Sequence, residues 1–308
     1  MAAASIQTGY NPRERVKLVI GHKETDRVPK GEICLEDPVV AQSLQVNRVG
    51  FEERLEFATR LGLDIICLHP KHPVLQGGLP DSGAVVWPEL KDWVYRSQLF
   101  TFAVLDGALG WGTRVFGCSE FLVLPKRSPL VFAEFIRKVE SLNLALARDL
   151  IEAGVDGLII ADDMAYERGL LFGPEITRGN LLPSLASQVE KIAPAGKPVF
   201  LHSDGNLNGI MAEIVSAGFN GLHCIDKNAG MDPLQLQQLY GANLCLWGSL
   251  GVTDLEEAHE PDRLASLADE INLLNRNKGF ILGTSSGLFP GINLSGLTRI
   301  YARIRGRF

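Results

Sequence analysis

The sequence predicts an α/β protein of one domain, folded as a TIM-type (β/α)₈ barrel. The chain has 308 residues, and a barrel of this type typically needs about 250. Strand-like and helix-like segments alternate through its second half, which indicates a parallel sheet. No GxGxxG follows an early strand, and this disfavours the competing open, doubly wound sheet. We expect an N-terminal helical extension over residues 1–30, packed on a barrel over residues 31–308.

An internal repeat indicates the barrel most directly. Residues 153–162 read AGVDGLIIAD, residues 217–226 read AGFNGLHCID, and residues 61–69, LGLDIICLH, follow the same pattern. Each copy contains a helix end with glycine in the left-handed position, a short polar turn and an apolar run of strand length. A polar residue then ends the strand, which is where these barrels place their catalytic side chains.

The other elements are predicted from periodicity and from turn residues. Apolar residues at helical spacing predict a helix over 130–152. Residues 83–98 are interpreted as a hairpin excursion. Further helices are expected at 174–193, 206–217, 232–240, 259–276 and 294–305, and further strands at 31–36, 63–68, 100–106, 197–202, 243–248 and 279–284.

The composition argues against several classes of protein. The net charge is −6 and basic residues are not clustered, so nucleic-acid binding is not expected. No apolar stretch approaches the roughly 20 residues that span a bilayer, and the first residues do not resemble a secretory signal. The five cysteines form no CxxC pair, as expected for reduced thiols in a cytoplasmic protein.

Polar residues at the strand ends are the candidates for function. His202 and Asp204, one residue apart, should point to the same side, where they could chelate a metal ion or act as an acid–base pair. The alternative is structural, with Asp204 capping the next helix and His202 filling the top of the barrel. For Asp226 a helix-capping or loop-bracing role is also left open. Of Asp162 and Asp163, one carboxylate is expected in the barrel mouth and the other to cap or brace a loop. The full set expected to be catalytic is Asp162, Asp163, His202 and Asp204, and the set expected to contact substrate is Glu36, His69, Asp226, Trp247 and Ser285.

Three other features are assigned a structural interpretation or are left open. His223 lies inside an apolar run and is interpreted as a core histidine. Residues 13–15 and 26–27, rich in charge, are interpreted as part of a solvated helix with its own ion pairs. The loop at 283–287, GTSSG, either donates backbone N–H groups to an anion or forms a tight connection.

Together these motifs resemble the uroporphyrinogen decarboxylase superfamily, which includes corrinoid-linked methyltransferases acting on coenzyme M and similar acceptors. The resemblance runs from residues 13–29 to the C-terminal helix. Its most specific stretches are ADDMA at 161–165, LHSDG at 201–205, LWG at 246–248 and GFILGTSSG at 279–287.

Two departures from the family patterns restrict what the resemblance implies. The decarboxylases carry an arginine-rich segment after their first strand, whereas residues 31–38 here read GEICLEDP, which would repel a polycarboxylate. The coenzyme M methyltransferases bind zinc through a His-x-Cys pair and a distant cysteine. His202 matches their histidine, but Asp204 and Ser286 stand at the cysteine positions, which weakens the case for a zinc ion that activates a thiol.

The resemblance implies a corrinoid-dependent methyltransferase with a small-molecule substrate. Cobalamin would be supplied by a partner corrinoid protein, and either zinc bound by His202, Asp204 and Ser286 or a metal-free acid–base pair would assist the transfer. A homodimer is compatible with this interpretation. The alternatives are a decarboxylase or lyase acting on a smaller substrate and a non-catalytic barrel that binds a ligand.

Overall fold

The computed structural model describes residues 9–75 and 77–304. Within these residues, seven parallel strands form one sheet in the order β1-β2-β3-β6-β7-β8-β9, and an antiparallel pair, β4-β5, lies outside it. The strands of the sheet are β1 (Ile65–Leu68), β2 (Phe100–Asp106), β3 (Gly157–Ala161), β6 (Val199–His202), β7 (Gly221–His223), β8 (Cys245–Leu250) and β9 (Phe280–Thr284). The short pair comprises β4 (Ala165–Tyr166) and β5 (Gly169–Leu170).

The segment around Gly31 closes this sheet into a barrel. Lys30 forms a parallel bridge to Leu282 of β9, and Gly31 forms one to Ile65 of β1. The Gly31 N–H also donates to the Leu282 carbonyl at 3.0 Å. The strand expected here is therefore reduced to single bridges, but it occupies the position between the last strand and the first. The predicted TIM-barrel fold is confirmed.

Helices connect the strands and pack on the outside of the sheet. Within the described residues, every helix is too short or too polar to span a lipid bilayer. The helices are α1 (Pro12–Ile20), α2 (Asp37–Leu44), α3 (Phe51–Leu61), α4 (Leu90–Arg96), α5 (Ala108–Phe116), α6 (Cys118–Arg127), α7 (Pro129–Ala153), α8 (Pro174–Ile176), α9 (Leu182–Ile192), α10 (Met211–Ser216), α11 (Pro233–Tyr240), α12 (Val252–Glu256), α13 (Pro261–Arg276) and α14 (Leu294–Arg303).

The glycines of the internal repeat end helices in the left-handed conformation, as the sequence predicts. Gly62, Gly154 and Gly218 follow α3, α7 and α10, with φ angles of 70°, 100° and 86°. These left-handed angles favour glycine because it has no Cβ atom. The three repeat copies therefore mark three helix-to-strand connections.

Two further predicted elements differ from the structure. The helix expected over 174–193 is divided, because a π-helical turn at residues 177–181 separates α8 from α9. The hairpin expected over 83–98 is wrong, since most of its second half forms α4. Helical geometry there buries Trp93, whose ring packs edge-on against Phe51 with centroids 4.8 Å apart.

The barrel interior is filled with side chains. Phe100, Phe102, Phe200 and Trp247 are fully buried in one cluster, and the Phe102 ring lies 5.1 Å from that of Phe200 and 5.7 Å from that of Trp247. These packed rings occupy the middle of the barrel in the described part of the chain. Any chemistry must therefore take place at an end of it.

Helix α1 closes the amino end of the barrel. Val16 and Val19 join the interior cluster, and the buried Arg15 forms ion pairs with Asp26 at 2.7 Å and Asp64 at 2.5 Å. The ion pairs expected from the sequence exist, but the expectation of a solvated helix is wrong on this face. The carboxyl end of the barrel remains for the functional site.

Candidate active site

A cavity of about 590 Å³ lies at the carboxyl end of the barrel. Strand ends form part of its wall, and helices α5 and α6 form another part. Its polar lining residues are His69, Asp106, Thr113, Arg114, Cys118, Asp163, His202, Asp204, Ser285 and Ser286. The predicted residues His69, Asp163, His202, Asp204, Ser285 and Ser286 are therefore brought to one cavity.

Asp163, His202 and Asp204 form a compact cluster in this cavity. Strands β3 and β6 are hydrogen-bonded neighbours, with Ala161 opposite His202, so the residues that follow them meet. His202 Nε2 lies 3.5 Å from Asp163 Oδ1 and 3.9 Å from Asp204 Oδ1. One ligand atom from each side chain lies within 4.8 Å of the other two. The three groups can therefore bind a single cation between them.

The opposite side of the His202 ring contacts a second histidine. His223 ends β7, directly opposite His202 in the sheet register, and the two Nδ1 atoms are 2.8 Å apart. His223 Nε2 lies 3.3 Å from the carbonyl oxygen of Thr284. Burial, reinforced by the neighbouring His202, holds the pKa of His223 well below its ordinary value. His223 is therefore neutral at physiological pH.

Asp162 and Asp163 point to different places. Asp162 is 1% exposed, and its Oδ1 accepts a hydrogen bond from the Leu109 N–H at 2.7 Å, at the start of α5. Its Oδ2 has no hydrogen-bond partner among the described residues. Burial, with smaller effects from the charges of Asp163 and Asp106, raises the pKa of Asp162 to about 7 against its hydrogen bonds. Asp162, which we expected to be catalytic, braces the N-terminus of α5 and does not line the cavity.

Three of the predicted substrate contacts also lie outside the cavity lining. Glu36 is exposed at the start of α2. Asp226 caps its own turn, where it accepts from the Asn228 N–H at 2.9 Å. Trp247 is buried in the barrel interior, and its Nε1 donates to the Gly31 carbonyl at 3.0 Å. These positions correct the expectation that every polar strand end reaches the mouth.

The structure adds residues to the cavity that sequence reasoning missed. Asp106 ends β2, and its Oδ2 lies 2.9 Å from His72 Nε2 and 2.8 Å from Arg114 Nε. Burial alone would raise the pKa of Asp106, but hydrogen bonds from His72 and Arg114 lower it overall. Asp106 could have been found with the strand-end rule already applied to Asp163. Arg114 gave no such signal, because it lies on a helix.

The cluster fits a divalent cation better than it fits a thiolate zinc site. Two carboxylates and one imidazole are hard or borderline ligands, suited to ions such as Zn²⁺, Co²⁺ or Mn²⁺. Cys224 is the thiol that contacts Asp204, but burial and the charges of Asp204 and Asp226 raise its pKa far above the ordinary value. It is also absent from the cavity lining. Asp163, and not Ser286, thus lies with His202 and Asp204 in the group of side chains that could hold a cation.

The closed parallel barrel, with its polar cavity at the strand ends, is characteristic of TIM-barrel enzymes. A family model described as uroporphyrinogen decarboxylase (URO-D) matches residues 112–306. The chain belongs to this family, as the sequence motifs predict. Among curated protein sequences, none matches significantly.

Solved structures share the fold at low sequence identity. A methyltransferase from Methanosarcina mazei is 15% identical, with a TM-score of 0.71 over 96% of this chain and 98% of the other. A B12-independent methionine synthase from Shewanella sp. W3-18-1, in complex with selenomethionine, is 11% identical, with a TM-score of 0.54 over 91% and 93% of the two chains. The family and these two neighbours are enzymes.

Proposed function

We propose that this chain is a methyltransferase that moves a methyl group between a small molecule in the cavity and a cobalamin carried by a partner corrinoid protein. The observation that carries the proposal is the convergence of Asp163, His202 and Asp204 in the cavity. The family match and the fold shared with the M. mazei methyltransferase support the reaction class.

The proposed reaction is an in-line displacement on a methyl carbon. When the small molecule is the methyl donor, the bond from that carbon to its heteroatom would break as the corrinoid takes up the methyl group, and the heteroatom would keep the electron pair. In the reverse direction the deprotonated heteroatom would supply the electron pair, and the corrinoid would be the leaving group. The cavity walls orient the small molecule, which lowers the entropic barrier to this alignment. A divalent cation bound by the cluster would stabilise negative charge on the heteroatom. Without a cation, His202 would protonate the heteroatom as a general acid.

The charges around the cavity argue against a polycarboxylate substrate. Asp106, Asp163 and Asp204 line it, and among its lining residues Arg114 is the only arginine or lysine. Arg114 is already paired with Asp106 at 2.8 Å. Several carboxylates of one substrate would therefore meet like charges, which costs binding free energy. This favours a small acceptor or donor over a porphyrinogen.

The test is a methyl-transfer assay with methylcobalamin and a panel of small thiols, amines and alcohols. The wild-type chain should demethylate the corrinoid, seen as a change in its visible spectrum, with at least one acceptor. His202→Ala should lower the rate by about 100-fold or more, because it removes the imidazole that would ligate the cation or, without a cation, would take the proton from the acceptor. His259→Ala is the matched control, since that histidine is exposed, and it should leave the rate unchanged.

Two other results would replace the proposal. Release of carbon dioxide from a small carboxylated substrate, with no effect on the corrinoid spectrum, would assign a decarboxylase. Ligand binding that survives both His202→Ala and Asp163→Ala, with no turnover of any substrate, would assign a non-catalytic barrel.

A further inference from the structure

His223 is placed to control which nitrogen of His202 carries a proton. The two side chains come from paired positions on β6 and β7, and their rings lie 5.0 Å apart at an interplanar angle of 32°. A distance of 2.8 Å between the two Nδ1 atoms is that of a hydrogen bond. One Nδ1 must therefore donate and the other must accept.

The carbonyl of Thr284 decides which nitrogen donates. A carbonyl oxygen can only accept, so its 3.3 Å contact with His223 Nε2 places a proton on that nitrogen. A neutral imidazole carries only one N–H group, which leaves His223 Nδ1 as an acceptor. The proton between the two rings then belongs to Nδ1 of His202.

The surroundings of His223 favour its neutral form. The side chain is fully buried, and its ring packs edge-on against Trp247 with centroids 4.9 Å apart. Among the described residues it hydrogen-bonds to the His202 ring and the Thr284 carbonyl, and no carboxylate there bonds to it to offset a charge. An imidazolium in this environment would be costly, and the donor assignment above therefore holds.

A proton on Nδ1 of His202 leaves Nε2, on the other side of the ring, without one. With its proton on Nδ1, His202 presents a lone pair on Nε2 toward the oxygens of Asp163 and Asp204, at 3.5 and 3.9 Å. Without His223, those carboxylates would attract a proton onto Nε2, and that proton would occupy the place of a cation. The hydrogen bond between the histidines opposes this tautomer.

We propose that His223 is a positioning residue that holds His202 in the Nδ1–H tautomer, so that Nε2 can bind a divalent cation together with Asp163 and Asp204. Hydrogen-bond partners behind a ligating histidine fix its tautomer and ring orientation in many metal sites, and their loss typically lowers metal affinity about 10- to 100-fold. This inference rests on the cation-binding form of the proposed function.

The first test measures the tautomer directly. Nitrogen-15 NMR of the full chain without metal, with His202→Gln to assign the signals, should show an unprotonated Nε2 and a protonated Nδ1 for His202. A protonated Nε2 on a neutral His202 ring would overturn the inference.

The second test measures Co²⁺ affinity by visible absorption, which needs no substrate. His223→Phe keeps much of the ring volume but removes the acceptor, and it should weaken Co²⁺ binding about 10- to 100-fold. His223→Asn keeps an acceptor near the Nδ1 position and should recover most of that loss, although it packs less well. A purely structural role predicts the opposite order, and His259→Phe serves as the exposed control.

The outcomes separate this inference from the proposed reaction. The role of His223 would be overturned if the wild-type chain did not bind Co²⁺, or if His223→Phe bound Co²⁺ as tightly as the wild type. The predicted tautomer and affinities, found without any methyl transfer, would support His223 and reject only the reaction.

Discussion

Replacing Asp162 by asparagine should change how the stability of the barrel depends on pH. The carboxyl group is buried, and its Oδ2 has no partner within the described part of the chain. Burial is the main reason that its pKa rises from an ordinary value of 3.8 to about 7. An asparagine Oδ1 can still accept from the Leu109 N–H, so the brace on α5 is retained while the titrating group is lost.

The sign follows from the direction of the pKa shift. Between about pH 4 and pH 7 the folded wild-type chain retains a proton at Asp162 that the unfolded chain has released. The contribution of Asp162 to stability therefore falls as the pH rises through this window and stays low above it. Each pH unit within the window corresponds to about 1.4 kcal/mol. Between pH 5 and pH 8, the free energy of unfolding of Asp162→Asn should thus rise by on the order of 3 kcal/mol relative to that of the wild type.

Urea unfolding at pH 5, 6, 7 and 8 measures this difference. Glu32, whose pKa is also raised to about 7 mainly by burial, is present in both proteins, so its effect cancels. Asp81→Asn, at an exposed carboxylate, should show no comparable trend. A difference between Asp162→Asn and wild type that stays constant across the four pH values would show that folding does not raise the pKa of Asp162.

Three further predictions concern packing, charge and the cation site. Gly221→Ala would place a Cβ atom 2.2 Å from the Phe200 ring, so urea unfolding should show a loss of roughly 1–3 kcal/mol. Unfolding that matches wild type would contradict that packing. Arg15→Ala leaves the buried Asp64 with one fewer ion-pair partner, and it should lower the free energy of unfolding by roughly 3 kcal/mol in the same measurement. A loss near zero would show that Arg27 alone is enough to compensate the charge of Asp64. Asp204→Cys should add a sulfur-to-cobalt charge-transfer band in the near-ultraviolet spectrum of the Co²⁺-loaded protein, and its absence would exclude position 204 as a ligand.

The sequence predicted best those site residues that directly follow a strand, because strand ends are also where these barrels place their functional side chains. Glycine after each helix and a polar residue after each strand placed Asp163, His202 and Asp204 at one end of the barrel. The same rule failed for Trp247 and Asp226, because an aromatic ring can fill the interior and an aspartate can cap its own turn. Strand-end position alone does not separate these outcomes.

Contacts between strands were beyond the reach of the sequence. His223 reads as a core histidine, and it is one, fully buried. Its contact with His202 depends on the register of β6 against β7 and on the position of the Thr284 carbonyl. No pattern within a single segment encodes these relations. The same holds for Arg114, which reaches the cavity because α5 packs over the end of β2.

Anomalous X-ray diffraction from crystals soaked in Co²⁺ or Zn²⁺ would show directly whether Asp163, His202 and Asp204 bind a cation. The proposed cation site predicts one peak in the cavity, about 2.0–2.1 Å from His202 Nε2, with oxygens of Asp163 and Asp204 also in the coordination sphere. No peak at these residues, or a metal bound to His202 through Nδ1, would contradict it.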